Sequence, residues 1–326
     1  PLATWCKDHE LLFTGHYLFE DDFYSMILAG GSVMAHYEYL DIPGIDHLGR
    51  EPGNPWTTLQ AASAAAQLGK QRVVCEIFGG AGQSLTFAEM KRLADYQAAL
   101  GASFFCPHLT AFTLKGDAKR DFPPTLSSHQ PWWEHARVLT DYLARVSWAV
   151  GRGRRASDVL VIHPLLSAYG SLDMSAEDGG EALKTVETSF RALVNELTAE
   201  HIGFDLGDER ILIAHGKSSR GRLQVGSSKY RAVVLPAAVT WLSSTIDLLE
   251  KVTCPVIIAG ELPGRVSGSP SDRIRSLAGK PYVRVVPDSP DTVAKTLAEL
   301  AGRPVEVVLP DGSTARNVLV NHRIDA

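Results

Sequence analysis

At 326 residues the chain is long enough for about two domains, and 45% hydrophobic with 21% charged residues is the balance of an ordinary globular protein. A formal net charge of −5 and the lack of any long Lys/Arg run exclude a basic field for nucleic acid. No apolar run approaches the roughly 18 residues that crossing a bilayer requires.

Residues 4–10 read as the tail of a helix and residues 11–16 as a short strand ending in polar side chains. Residues 19–29 are helical in character, residues 32–39 are a strand candidate, and residues 41–47 read as a loop stiffened by proline. Residues 58–68 are alanine-rich and helical, and Gly69 closes them as a C-terminal cap. In the run Arg72-Val73-Val74-Cys75-Glu76-Ile77-Phe78-Gly79-Gly80-Ala81-Gly82, apolar residues closed by glycine predict a buried parallel strand. Glu76, at its C-terminal end, would stand at the mouth of a barrel or sheet, where α/β folds place their chemistry. Taken alone, such a glutamate could equally cap the next turn or pair with an arginine. Residues 85–100 follow as an amphipathic helix closed by Gly101, and residues 102–108 as a strand ending on His108.

Strands alternating with helices predict parallel β/α units. Four of them would end in His16, in Tyr37 and Glu38, in Glu76 and in His108, the placement expected on the C-terminal face of a (β/α)₈ barrel. Four units where such a barrel has eight predict an α/β chain in which residues 1–152 form the C-terminal half of a barrel, its other half upstream of Pro1. The Gly/Arg stretch at residues 151–155 marks a boundary. Residues 153–302 repeat the alternation, with strands expected at 158–163, 210–215, 230–236, 255–260 and 283–287, and predict a parallel sheet covered by helices. From Val305 the pattern changes to short strands, including residues 317–320, so residues 303–326 read as the start of a β-rich module.

Cys6, Cys75, Cys106 and Cys254 are scattered without a CxxC pair. Cys75 and Cys106, inside apolar runs, predict buried free thiols and leave a bridge between them open. No HxxxH or comparable spacing suggests a catalytic zinc. No GxGxxG opens a helix, and Cys254, placed before Pro255, lacks the glycine-flanked turn of a nucleophile. The acids Asp205, Asp208 and Glu209 read as a solvated loop or a contact with the barrel.

Three segments converge on one chemistry: Tyr37 to Arg50 with its Pro43-Gly44-Ile45-Asp46 run, Cys75-Glu76-Ile77-Phe78-Gly79, and His108 to Pro124 with its Lys119-Arg120-Asp121-Phe122-Pro123-Pro124 run. Over roughly residues 5–260 they resemble large multidomain bacterial glycoside hydrolases, most nearly glycoside hydrolase family 106, the α-L-rhamnosidases, and more distantly the β-galactosidase-like barrels. The resemblance implies an exo-acting glycosidase with a pair of carboxyl groups, Glu76 being the base or nucleophile and the acid lying upstream of Pro1. It therefore implies a chain inactive by itself. Sugar sites join hydrogen-bonding groups to aromatic walls. On that ground His16, Glu38, Asp46, Arg50 and His108 are expected to hold the substrate, with Tyr37 and Trp132 as walls. Trp133 is assigned to packing, while His36 and His47 stay undecided between solvent and site.

Calcium is the one cofactor the resemblance suggests, with Glu38 or Asp46 as oxygen ligands. The expected partner is an oligosaccharide or glycoside, with neither nucleic acid nor membrane, in the bacterial cytoplasm or outside the cell. The second unit resembles the flavodoxin-like or amidotransferase-like domain that follows the barrel in these enzymes, in a structural or assembly role. A non-catalytic carbohydrate-binding relative and an interaction module built on the α/β domain are the alternatives.

Overall fold

In the computed structural model, which describes residues 1–120 and 122–325, the apolar runs form two parallel sheets. Asp121, quoted above, lies outside the described residues, as do the side chains of Ala118 and Lys119. The first sheet holds β1 (Thr14–Gly15), β2 (Ile42–His47), β3 (Val74–Ile77) and β4 (Phe104–Pro107), parallel and in chain order. Side chains alternate across it: Cys75 and Ile77 are buried against the helices, whereas Val74 and Glu76 are half-buried on the other face.

Two expectations exchange places here. Residues 41–47, read as a loop, contain β2, because the usual strand breakers are tolerated at these two positions. Pro43 pairs only with the two-residue β1, an edge where its missing N–H leaves little unpaired. Gly44 is required: a Cβ there would meet Val74 Cγ1 at 2.5 Å and the Gly15 carbonyl oxygen at 2.6 Å. Residues 32–39, read as a strand, instead form a helical turn at Val33–His36 and a 3₁₀ turn at Tyr37–Tyr39, started by the Ser32 hydroxyl accepting from Ala35 N. Tyr37 and Glu38 are therefore not at a strand end; Asp46 and His47 take that place.

The second sheet has the order Val283–Val286, Val256–Ala259, Ala232–Leu235, Val159–Ile162, Phe204–Gly207, every pair parallel. Counted along the chain this is 2-1-3-4-5, the flavodoxin-like order. Residues 210–215, expected as a strand, belong to the helix Glu209–His215, which Asp208 caps by accepting from Arg210 N at 2.8 Å and Ile211 N at 3.2 Å. The acids of this segment are not in a solvated loop. Asp205, Asp208 and Glu209 are 1%, 3% and 5% exposed. Beyond Val305 the β character reduces to an isolated bridge between Val308 and Thr314 and to Arg323–Ile324, which pairs antiparallel with Arg154–Arg155; residues 317–320 form no strand.

One helix serves both sheets. Pro55–Leu68 starts with Asn54 accepting from Trp56 N, and its carboxyl end closes on Gly69 at φ 69°. Eleven of its 14 residues are buried, so it is covered on all sides, and its alanines let both layers approach closely. Two of its polar residues bind the second sheet. Ser63 Oγ accepts from Leu206 N at 2.8 Å, while Gln67 Nε2 donates to Leu206 O at 2.9 Å and reaches the Tyr230 hydroxyl at 3.0 Å. Trp56 and Phe23 pack on His163 and Phe190 from the other side. His163 follows the first strand of a flavodoxin-like order, at the crevice where such sheets usually bind ligands. Aromatic packing fills that position, and burial pushes the imidazole down to about 3, holding it neutral.

Glu209 ties the second unit together. Its Oε1 accepts from Leu242 N at 2.7 Å and from Thr245 Oγ1 at 2.6 Å, and Oε2 is buried without a partner. Burial pushes this carboxyl up to about 7 from an ordinary 4.5, against the pull of the Thr245 and Leu242 hydrogen bonds. The folded state then binds the proton more tightly than the unfolded chain. The resulting stabilisation is complete below pH 4.5 and is lost as pH rises to about 7, an effect of about 3 kcal/mol. We expect the stability of the wild type, measured relative to Glu209→Gln by denaturant unfolding, to fall by about that amount across this window; a difference independent of pH would contradict the burial argument.

Candidate active site

The four parallel strands bring a set of polar side chains to their C-terminal ends. Register places Asp46 beside Glu76 and Glu76 beside Cys106 on one face of the sheet. His16 follows β1 directly, and its Nε2 lies 2.9 Å from Glu76 Oε2. His108 follows β4, and its Nε2 lies 3.9 Å from Glu76 Oε1. Each carboxylate oxygen thus faces one imidazole, which fixes the plane of the group. Gly79 makes room for this arrangement, since a Cβ there would lie 3.2 Å from His108 Cγ and 3.0 Å from Leu48 Cδ2.

Behind this front lies a layer of unpartnered polar atoms. Among the described residues Asp46 Oδ1, His16 Nδ1 and His108 Nδ1 are buried without hydrogen bonds, and so are Glu20 Oε2 and the Tyr37 hydroxyl. Such groups are rare in native interiors, and their concentration at one place marks a candidate functional region. Burial pushes the Asp46 carboxyl up, His16 and His108 draw it down, and Glu76 adds to the upward push. Glu20 is 4% exposed and its carboxyl accepts from Tyr17 N at 2.8 Å, so burial drives it well above the ordinary range against that hydrogen bond, with Asp46 and Asp21 adding to the push. The Tyr37 hydroxyl is raised by burial and then by Glu20.

Of the residues expected from sequence, the fold brings His16, Asp46, Glu76 and His108 together, with the Tyr37 hydroxyl in the layer behind them, and the others stand apart. Tyr37 is fully buried, so its ring is no wall for a sugar. Glu38 is bound to His215 Nε2 at 2.7 Å. Arg50 spans to the loop after β3, donating to Glu89 Oε1 at 2.7 Å and to Ser84 Oγ at 3.1 Å. Glu89 is itself half of a capping box with Thr86, so this arginine fastens loop to helix. Of the two tryptophans, Trp132 packs on Phe87 at 5.0 Å between centroids, and Trp133 is 42% exposed. His47 is buried on the helix side of β2, and His36 binds the Gly30 carbonyl oxygen. Cys106, expected to be buried, is exposed on the site face, and Cys75 and Cys106 are both free thiols. Burial and the Glu76 charge push the Cys106 thiol up, away from the thiolate a nucleophile needs.

Sequence reasoning missed Glu20. It comes from the turn before the helix Phe23–Ala29 rather than from a strand end. Its only sequence signal is an acid directly after the apolar pair Leu18 and Phe19. Of the two oxygen ligands expected for calcium, Glu38 is committed to His215 and Asp46 stands in the Glu76 cluster, and among the described residues no group of three His, Cys, Asp or Glu side chains is placed to hold a metal ion.

No protein-family model and no curated protein sequence matches the chain. Solved structures do. A rhamnosidase from a Novosphingobium species superposes with a TM-score of 0.68 at 20% identity, over 96% of this chain and 31% of the other. The chain shares the fold of part of a glycosidase. An exo-carrageenase from Bacteroides ovatus follows with a TM-score of 0.56 at 13% identity, covering 88% of this chain and 40% of its own. A β-galactosidase from Halorubrum lacusprofundi gives 0.54 at 14% identity, over 83% and 41%. The chain therefore spans about a third to two fifths of these structures, and identities this low speak to fold alone.

Proposed function

We propose that the chain is part of a glycoside hydrolase in which Glu76 is the base or nucleophile. The observation that carries this reading is a carboxylate at a parallel strand end, oriented by His16 at 2.9 Å, in a fold shared with a rhamnosidase. Residues 1–152 then supply the C-terminal half of a (β/α)₈ barrel, residues 153–302 a flavodoxin-like companion, and residues 303–326 the beginning of a further module. A second carboxyl outside this chain protonates the leaving oxygen, while Glu76 attacks the anomeric carbon or takes a proton from the attacking water. α-L-Rhamnosides are the first substrates to try, on the likeness to the rhamnosidase, with β-galactosides second.

In this scheme His16 is a positioning residue. Removing its imidazole leaves Glu76 Oε2 without its hydrogen bond and lets the carboxylate turn, and a misplacement of about 1 Å costs roughly 10²-fold in rate. We expect the complete protein to release aryl aglycones from one of these glycoside classes, and His16→Ala to lower kcat by about that factor with KM nearly unchanged. Failure of the complete protein to turn over or bind any glycoside in such a panel would overturn the reading. A His16→Ala effect on KM alone would remove the positioning role.

A further inference from the structure

A second site lies at the opposite, N-terminal ends of the same strands. A cleft of about 720 Å³ opens between the carboxyl end of the helix Pro55–Leu68, the residues that lead into β3 and β4, and the start of the second unit. Its walls carry Lys70, Arg154, Arg155, Arg222, Lys229 and Arg323 against one acid, Asp158. In a chain of net charge −5 this is a local reversal of sign.

The charges inside the cleft are poorly compensated. Arg155 is neutralised by the buried Asp205, whose Oδ1 lies 3.1 Å from its Nε, and Asp158 faces Arg231 at 3.7 Å. Lys70, Arg154, Arg222, Lys229 and Arg323 have no ion-pair partner among the described residues. Lys70 and Arg323 donate only to backbone carbonyl oxygens. Arg323 also stands directly opposite Arg155 in the antiparallel pair, a placement of like charges that costs stability. Burial and then Arg155 hold its guanidinium below its ordinary range. Ser103, Ser157, Ser227 and Ser228 complete the lining, the hydroxyls of the first three being engaged with Val73 N, Arg155 Nε and the carbonyl oxygens of Ala66 and Gln67.

Arginine forks and point-charge lysines are the groups that recognise phosphoryl oxygens. The volume lies within the range of small-molecule sites and exceeds what one phosphate group fills. We propose that this cleft binds a small phosphorylated molecule carrying more than one negative charge. Arg154 contacts it from the strand pair, and Arg222 and Lys229 from the hairpin facing it. The site is independent of the glycosidase reading, because it shares no residue with the Glu76 cluster.

Inorganic pyrophosphate is the probe, titrated calorimetrically into the complete protein, with sodium chloride of matched ionic strength as reference. Pyrophosphate should bind and raise Tm beyond the effect of chloride. Arg154→Ser combined with Arg222→Ser removes two exposed, unpaired cations whose loss leaves folding intact, and should weaken binding by more than about tenfold. Glu76→Gln should bind pyrophosphate as the wild type does. Pyrophosphate that acts no differently from chloride, or that binds the double variant with undiminished affinity, overturns the proposal.

Discussion

Replacing Glu76 by glutamine should lower kcat of the complete protein on its best glycoside by roughly 10³- to 10⁴-fold, with sugar binding largely retained. The substitution keeps the shape of the side chain and its capacity to meet His16, whose Nε2 lies 2.9 Å away, so the cleft stays assembled. What it removes is the negative charge and basic oxygen that must attack, or take a proton, as the glycosidic bond breaks. That loss of transition-state stabilisation corresponds to about 4–5.5 kcal/mol. The ground state gains little from the charge, so KM should move far less than kcat. Measured by initial rates on an aryl glycoside, a variant within a few-fold of the wild type would transfer the role away from Glu76. Asp46, its neighbour in register, would then be the next carboxylate to replace.

The second large effect concerns stability, at the seam between the sheets. Asp205 is 1% exposed and accepts from Arg155 Nε at 3.1 Å and from the Tyr230 hydroxyl at 2.9 Å. Arg155 also donates to the carbonyl oxygens of Leu100 and Phe204, so one guanidinium joins the helix Phe87–Leu100 to the second sheet. Burial pushes the Asp205 carboxyl up, and the Arg155 charge opposes that push without cancelling it. The pair therefore adds no net stability of its own, yet breaking it is costly, because a desolvated arginine remains without its counter-charge. Asp205→Ala should destabilise the protein by about 3–5 kcal/mol in denaturant unfolding. Replacing both partners with apolar residues should recover much of that loss, since no uncompensated charge is then left inside. A loss under about 1 kcal/mol for Asp205→Ala would show that the seam does not depend on this pair.

How much of this was legible in the sequence depended on what each segment touches. β3 and four of the five strands of the second sheet are short, largely apolar runs bounded by turns, and parallel strands advertise themselves in that way, whereas Phe204–Gly207 was passed over because Asp205 interrupts its apolar run. β2 was illegible because Pro43 and Gly44 are strand breakers by propensity. Only the neighbours explain them: a two-residue partner for Pro43, and Gly15 and Val74 crowding the space where Gly44 would carry a Cβ. Residues 210–215 misled in the opposite direction, since the alternation of Ile211 and Ile213 mimics a strand while the helix is set by the Asp208 cap. At the candidate site, Glu76, His16 and His108 could be read because each ends a strand-like run. Asp46 was read as a substrate or calcium contact without its place at a strand end, since its strand was not recognised. Glu20 acquires its importance only from burial beside residues that lie well apart from it in sequence. Arg50 and Glu38 looked like free ligands until Glu89 and His215 were seen to engage them.

The central claim is that Glu76 is one member of a carboxyl pair flanking a glycosidic bond, and a crystal structure of the complete Glu76→Gln protein with an intact glycoside bound tests it most directly. The account predicts the side chain at position 76 within about 3–3.5 Å of the anomeric carbon, or of a water aimed at it. It also predicts a second carboxyl group at about 5–5.5 Å if the enzyme retains configuration, or about 6.5–9.5 Å if it inverts. A sugar seated away from the ends of β2, β3 and β4, or a position 76 with no second carboxyl within roughly 10 Å, would contradict it.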